Sequence, residues 1–292
     1  MKILAPAKVN LYLEVIKKRE DGFHEIETLF EKISLCDRLN INISETECIK
    51  SNDTNVPTGE NSLLSNIIKA FKKKTNLNTE FNVYLEKNIP IAAGLGGGSS
   101  DAAALLKGIN SLSGEALNKM QLASIASQYG ADIPFFIYDE SFAIGKGTGN
   151  EILPIHEHIK IEHILINPPF EVSTKEVYSK VSPFNLTKQK GTDKMFNAFL
   201  RKKDTANLAA NLHNDLQAIT LEKCPQLEAV LSSMEKAGAK GQLITGSGPT
   251  VFGIFDKEII EEALILLSKE FKKEKGWRIF RAETYKESKE AK

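Results

Sequence analysis

Residues Pro90 to Ala104 read Pro-Ile-Ala-Ala-Gly-Leu-Gly-Gly-Gly-Ser-Ser-Asp-Ala-Ala-Ala, a glycine-dense turn that runs straight into a helix-forming stretch. Gly94, Gly96, Gly97 and Gly98 permit dihedrals that a side chain would forbid and remove bulk where a ligand must come close. Ser99 and Ser100 are suited to capping a helix N-terminus, and Ala102 to Leu106 favours its propagation. Free N–H groups and the positive dipole end at such a terminus attract anions. The segment therefore points to a nucleotide-phosphate site.

The spacing excludes two common phosphate loops. A Walker loop needs a Lys and a Ser or Thr after its second glycine, and no lysine follows Gly98. The dinucleotide fingerprint fails because Gly94-Leu95-Gly96 is followed by Gly97, Gly98 and then Ser99. A plain glycine turn capping an ordinary helix remains the alternative. Two further glycine clusters, Thr245 to Thr250 and Gly145 to Gly149, read as turns, the first as a hairpin between two strands. Its small residues would also let a phosphate or another domain approach.

Around these sites the sequence suggests a regular scaffold. Val9 to Ile16, Ile26 to Ile33 and Leu39 to Ile43 read as three strands of one sheet, with a polar turn at Arg19 to Phe23. Asn61 to Lys74 has helical spacing at Leu64, Ile67, Ile68 and Phe71, and Phe81 to Leu85 alternates like a strand. Helices are expected at Ser99 to Ile109 and Leu117 to Gln128.

Beyond His163 the pattern is a strand at Ile164 to Ile166 and a short helix at Lys175 to Lys180. A polar loop follows at Ser182 to Asp193, then a helix at Pro225 to Ala237. Strands at Gln242 to Thr245 and Val251 to Phe255, a helix at Ile259 to Phe271 and a strand at Trp277 to Thr284 complete it. Such alternation fits a small α+β sandwich.

Composition limits the function. The chain has 292 residues, 41% hydrophobic and 26% charged, enough for two domains of a soluble protein. Its formal net charge is zero, which argues against a surface built for nucleic acid or an anionic membrane. Cys36, Cys48 and Cys224 are scattered without metal-ligand spacing, as expected of a reduced cytoplasmic protein. No signal segment or membrane span is expected. His156, His158 and His163 lack partner cysteines and read as part of a solvated connector.

Three segments taken together resemble a known family. Pro6-Ala7-Lys8-Val9-Asn10-Leu11, the loop at Pro90 to Ala104, and Gly246-Ser247-Gly248-Pro249-Thr250-Val251-Phe252 resemble, in that order, the three motifs of the GHMP kinases. The resemblance spans nearly the whole chain. Arg19-Glu20-Asp21-Gly22-Phe23-His24 and Gly130-Ala131-Asp132-Ile133-Pro134-Phe135 resemble motifs of the branch that phosphorylates a hydroxyl of a cytidine diphosphate-linked methylerythritol. Two positions depart from that pattern: Phe23 replaces a tyrosine, and Ala92 replaces a glycine.

The resemblance implies a two-domain α+β (α/β) fold with the active cleft between the domains. Residues 1–155 would form a ribosomal protein S5 domain 2-like unit and residues 156–285 a ferredoxin-like unit, followed by a charged tail at 286–292. ATP, with Mg²⁺ on unassigned ligands, would bind at Pro90, Ile91, Ala92, Ala93, Gly94, Leu95, Gly96, Gly97, Gly98, Ser99 and Ser100. Asp132 would be the general base, and Lys8 the ammonium that keeps it ionised. Asn10, Phe23, His24 and Tyr178 would contact the acceptor substrate, Tyr178 by stacking on its base.

From position alone, Lys8 also reads as a surface charge next to a strand, Asp132 as a helix cap or turn residue ahead of Pro134, and Asp101 as an alternative base or dipole partner in the first helical turn. Another small-alcohol kinase such as homoserine kinase, or a non-catalytic nucleotide-binding module, would also fit the glycine loop.

Overall fold

The computed structural model describes residues 1–157, 159–182, 204–271 and 275–286. Two long antiparallel strands, β1 (Lys2–Lys18) and β2 (His24–Ser44), dominate its first half. They are joined by the expected turn at Arg19 to Phe23, where Gly22 has φ 87° and Arg19 N–H donates to the Phe23 carbonyl. The two segments expected as separate strands, Ile26 to Ile33 and Leu39 to Ile43, are parts of β2. The residues between them, Ser34 to Arg38, hold Leu35 as their one large apolar side chain and gave no apolar run. They stay extended because β2 changes partners there: Thr28 to Glu31 pairs with β5 (Phe142–Lys146), and Arg38 to Ser44 with β4 (Glu80–Glu86).

Around this pair the sheet order is β3 (Cys48–Ser51), β4, β2, β1 and β8 (His213–Asn214), with β5 also pairing β6 (Glu151–Ile155). The strand β1 is almost continuously buried from Ala5 to Val15, as befits a strand covered on both faces. Its two-residue period separates the faces. Ala7, Val9 and Leu11 enter the core shared with the second half, while Lys8 and Asn10 project from the other face.

Helices cover that other face. The first, α1 (Leu63–Thr75), starts at Ser62, whose side chain accepts from Ser65 N–H, and buries Leu64, Ile67, Ile68 and Phe71. The second, α2 (Gly97–Leu112), follows the glycine loop directly. Its N-cap is Gly96, in the left-handed region at φ 68°, and not Ser99 or Ser100. The helix starts earlier than its serines suggest because a glycine can make the cap turn without a side chain. Next come α3 (Lys119–Ala126), with an Asn118–Gln121 capping box, and the short α4 (Ile133–Ile137).

The second half builds a four-stranded antiparallel sheet in the order β11 (Arg278–Glu283), β7 (Glu162–Asn167), β10 (Val251–Phe255), β9 (Gly241–Ile244). That order is the ferredoxin-like one. The described helices of this half are α5 (Thr174–Ser179), α6 (Thr205–Ala210), α7 (Gln217–Lys223), α8 (Gln226–Lys236) and α9 (Ile260–Phe271). Leu227, Val230 and Met234 of α8 pack with Ile260, Ala263 and Leu267 of α9 in one core.

His163 corrects the reading of a solvated connector. It lies on β7, fully buried, with Nε2 3.0 Å from Glu31. Its apolar neighbours Ile164 to Ile166 carry the strand back through it. His156 is exposed and pairs with Glu140, whereas His158 lies outside the described residues. Most of the expected loop at Ser182 to Asp193 and the tail beyond Lys286 also lie outside them.

Candidate active site

Four chain segments converge on Lys8. Its backbone N–H donates to the Leu95 carbonyl at 2.9 Å, which ties β1 to the glycine loop. Its Nζ donates to Asn10 Oδ1 at 2.7 Å and lies 3.5 Å from Asp132 Oδ2. It also sits 5.7 Å from the ring centre of Phe30. The Lys8 side chain is 5% exposed and that of Asp132 is 33% exposed, so the carboxylate is the member of the pair that an external hydroxyl can reach.

Asp132 is the N-cap residue of α4, yet its carboxylate makes no capping bond there. That leaves it available to Lys8. Asn10 is fixed on three sides. Its Nδ2 donates to Thr28 Oγ1 at 2.8 Å, and its backbone N–H donates to Thr245 Oγ1 at 3.1 Å. Thr28 in turn donates to the Tyr12 carbonyl. Lys8 thus has one rigid amide oxygen and one carboxylate to share its three protons.

The glycine loop lies against this group. A Cβ on Gly96 would fall 2.9 Å from Lys8 Cγ, so position 96 must be glycine for the lysine to pass beneath it. Along the loop Pro90, Ala93, Leu95, Gly97 and Ser100 are buried, whereas Ile91, Ala92 and Gly98 are exposed. Gly98 has open space where a Cβ would stand, in the first turn of α2. Backbone N–H groups there have no partner within the helix and can serve an anion. Ala92 has φ 51°, so the departure from glycine puts a side chain in the left-handed region.

The hairpin between β9 and β10 closes the other side. Thr245 N–H donates to the Thr250 carbonyl, and Gly248 N–H to that of Thr245. The expected hairpin turn is therefore present, and it also abuts the loop through Gly94. A cavity of about 630 Å³ lies beside this contact, lined by Ala92 and Gly94 of the loop, Gly248 of the hairpin, Val172 and Thr174 at the start of α5, and Cys224 at the end of α7, among others. Its size suits a nucleotide-sized ligand. Lys8 and Asp132 do not line it, so the charged pair and the cavity are separate parts of the same cleft region.

His24, at the start of β2, and Tyr178, on α5, meet across the two halves with ring centroids 5.2 Å apart and planes tilted by 35°. Burial pushes the Tyr178 phenol up, and the Asp132 carboxylate adds to the shift, which places this ring near the charged pair. Burial and the charge of Lys18 hold the His24 imidazole below its usual range, so the ring is neutral near pH 7. Its Nε2 is buried without a hydrogen-bond partner. Phe23 beside it is 65% exposed.

Asp101 does not fit the role of a base or of a dipole partner in the first turn. It falls in the second turn of α2, is 3% exposed and is held by Lys87 at 2.7 Å. Sequence reasoning gave no role to Thr28, which orients Asn10, and missed Asn214, which donates to the carbonyls of Ile244 and Gly246 and so supports the hairpin. Neither lies in a run with an unusual composition. Among the described residues no three His, Cys, Asp or Glu side chains converge on one point, and no helix is long and apolar enough to cross a membrane.

Comparison with known proteins agrees with this geometry. Residues 62–140 match the GHMP kinases N terminal domain, and residues 196–272 match the GHMP kinases C terminal domain. The 4-diphosphocytidyl-2-C-methyl-D-erythritol kinase of Persephonella marina is 38% identical over 96% of this chain and 98% of its own. A crystal structure of 4-(cytidine 5'-diphospho)-2C-methyl-D-erythritol kinase superposes with a TM-score of 0.81 at 29% identity, covering 97% of this chain and 98% of that one. Homoserine kinase from Cytophaga hutchinsonii shares the fold, with a TM-score of 0.76 at 20% identity over 98% of this chain and 94% of its own. With that identity over nearly all of both chains, the chain belongs to the 4-diphosphocytidyl-2-C-methyl-D-erythritol kinase family of the GHMP kinases.

Proposed function

We propose that this ATP-dependent kinase phosphorylates the 2-hydroxyl of 4-diphosphocytidyl-2-C-methyl-D-erythritol, a step of the non-mevalonate route to isoprenoid precursors. The observation that carries the reading is the Lys8–Asp132 pair, buried at the lysine and open at the carboxylate, set against the glycine loop.

In this reading Asp132 accepts the proton of the substrate hydroxyl as its oxygen bonds to the γ-phosphorus of ATP and the bond to the ADP oxygen breaks. Lys8 pairs with the Asp132 carboxylate at 3.5 Å and offsets charge on the reacting oxygens. The loop from Pro90 to Ser100 holds the phosphates through backbone N–H groups at the start of α2. His24 and Tyr178 hold the cytosine, with Asn10 and Phe23 alongside the substrate. The neutralisation of phosphate charge that Mg²⁺ would supply with ATP is not assigned to any side chain of this site.

The two domains are read as 1–155 and 156–285. The end of β6 at Ile155 and the opening of a separate sheet at Glu162 support that division. Cys36, Cys48 and Cys224 are free thiols, which supports a cytoplasmic setting. The test is a coupled ADP-release assay offering the cytidine-linked substrate and homoserine in parallel. Turnover only with homoserine, or with neither, would overturn the substrate assignment.

A further inference from the structure

Both ends of the glycine loop are tied to one buried cluster of ionisable side chains. Asp37, on β2, is fully buried, and its Oδ1 accepts from the backbone N–H groups of Asn88 at 2.5 Å and Ile89 at 2.8 Å. Those residues lead directly into Pro90. Its Oδ2 accepts from Lys87 Nζ at 2.5 Å. The same ammonium donates to Asp101 Oδ2 at 2.7 Å, on α2 just beyond the loop. The chain running into the loop and the chain leaving it therefore meet at one nitrogen.

Burial decides how much this matters. The side chains of Lys87, Asp37 and Asp101 are 5%, 0% and 4% exposed. Exposed ion pairs contribute little, but removing one member of a buried group strands the others without a counter-charge or hydrogen bonds. The ammonium also lies directly under the first residue of α2, because a Cβ on Gly97 would fall 2.9 Å from Lys87 Nζ. The glycine at 97 is thus explained from below by the lysine, while Gly98 is open above it.

We propose that Lys87, with Asp37 and Asp101, clamps the two ends of the glycine loop at the separation that ATP phosphates require, which makes Lys87 a positioning residue for ATP. The proposal rests on reading the loop as the ATP phosphate site. Lys87 need not touch the nucleotide. Its effect is to order the loop beforehand, so that binding does not have to. Fixing a backbone residue costs enough that one or two loop residues released from order would lower affinity roughly ten- to a hundredfold.

The experiment measures three things in Lys87→Met, Asp101→Ala and Asp101→Asn: the ATP dissociation constant by calorimetry, the KM of the acceptor substrate, and hydrogen exchange of amides 91–98 in the protein without nucleotide. Lys87→Met is expected to weaken ATP binding about tenfold or more and to speed exchange in the loop, with the acceptor KM within about twofold. Asp101→Ala should act in the same direction and carries the test if Lys87→Met does not fold. Asp101→Asn keeps an oxygen for Lys87 and should restore most of the affinity.

An unchanged ATP dissociation constant with unchanged loop exchange, in either folded variant, would overturn the clamp. Equal losses of ATP and acceptor binding would overturn it too, since they mark general damage to the fold. Gly96→Val separates this failure from that of the underlying reading. If it leaves ATP binding intact, the loop is not the phosphate site. If it weakens binding while the clamp variants do not, only the clamp is wrong.

Discussion

Gly94 and Thr245 touch backbone to backbone: a Cβ built on Gly94 would fall 2.4 Å from the Thr245 carbonyl oxygen. Gly94 also has φ 74°. Alanine there would meet a steric wall and a left-handed dihedral at once, the latter costing about 1–2 kcal/mol by itself. Gly98 differs in both respects, being helical with open space around it. Gly94→Ala should therefore lower stability by more than about 2 kcal/mol and separate the loop from the hairpin. Gly98→Ala should raise stability by up to about 1 kcal/mol while weakening ATP binding, because its methyl would occupy the phosphate side of the helix start. Urea melts and ATP calorimetry on the two variants check both halves.

The charged pair yields a kinetic prediction. Asp132→Asn and Lys8→Met should each reduce kcat by orders of magnitude, since a general base alone contributes about 10²–10⁴-fold. The ATP dissociation constant should change far less, because the loop holds the phosphates. Steady-state kinetics with matched binding measurements decide the matter, and near-normal kcat in Asp132→Asn would remove it from the role of base.

Substrate choice rests on the His24–Tyr178 contact. Tyr178→Ala and His24→Ala should each raise the KM of the cytidine substrate about tenfold or more and leave that of ATP nearly unchanged. Tyr178→Phe should be mild, because stacking needs the ring and not the hydroxyl. If Phe and Ala prove equally damaging at position 178, the hydroxyl is what the substrate uses.

Burial pushes the Asp101 carboxyl up to about 8, against the pull of the Lys87 ammonium and with help from Asp37. The folded chain therefore holds a proton there that the unfolded chain releases near pH 4. Because the folded state binds more protons between about pH 4 and 8, this group's contribution to stability declines as pH rises through that window. Asp101→Asn should flatten that decline and gain stability relative to the parent above about pH 8. Denaturant midpoints at pH 5, 7 and 9 would show it, and parallel curves for the two proteins would contradict it.

The glycine loop was legible because its chemistry is local: the residues that need special dihedrals and close approach are consecutive. The same holds for α1, where the spacing of Leu64, Ile67, Ile68 and Phe71 matches the buried face. Lys8 and Asp132 were legible only through their motifs, since nothing in either neighbourhood shows that 3.5 Å will separate them. The clamp was not legible at all. Asp37 is on β2, Lys87 just beyond the end of β4 and Asp101 on α2, and their partnership arises from how α2 lies over β1 and β2. His163 misled for a related reason: a polar residue inside an apolar strand reads as exposed until Glu31, far away in sequence, supplies its partner.

The two-residue strand β8 sets an order of events during synthesis. It pairs in parallel with Tyr12 and Leu13 of β1, and Asp215 next to it accepts the Val15 N–H. The strand that carries Lys8 and Asn10 cannot gain this neighbour until about two hundred further residues have left the ribosome. Until then one edge of β1 has no strand beside it, with its backbone groups unpaired at that end. The first segment of the chain to be made is thus among the last to be completed, and the strand that presents the charged pair is finished by residues from the opposite half.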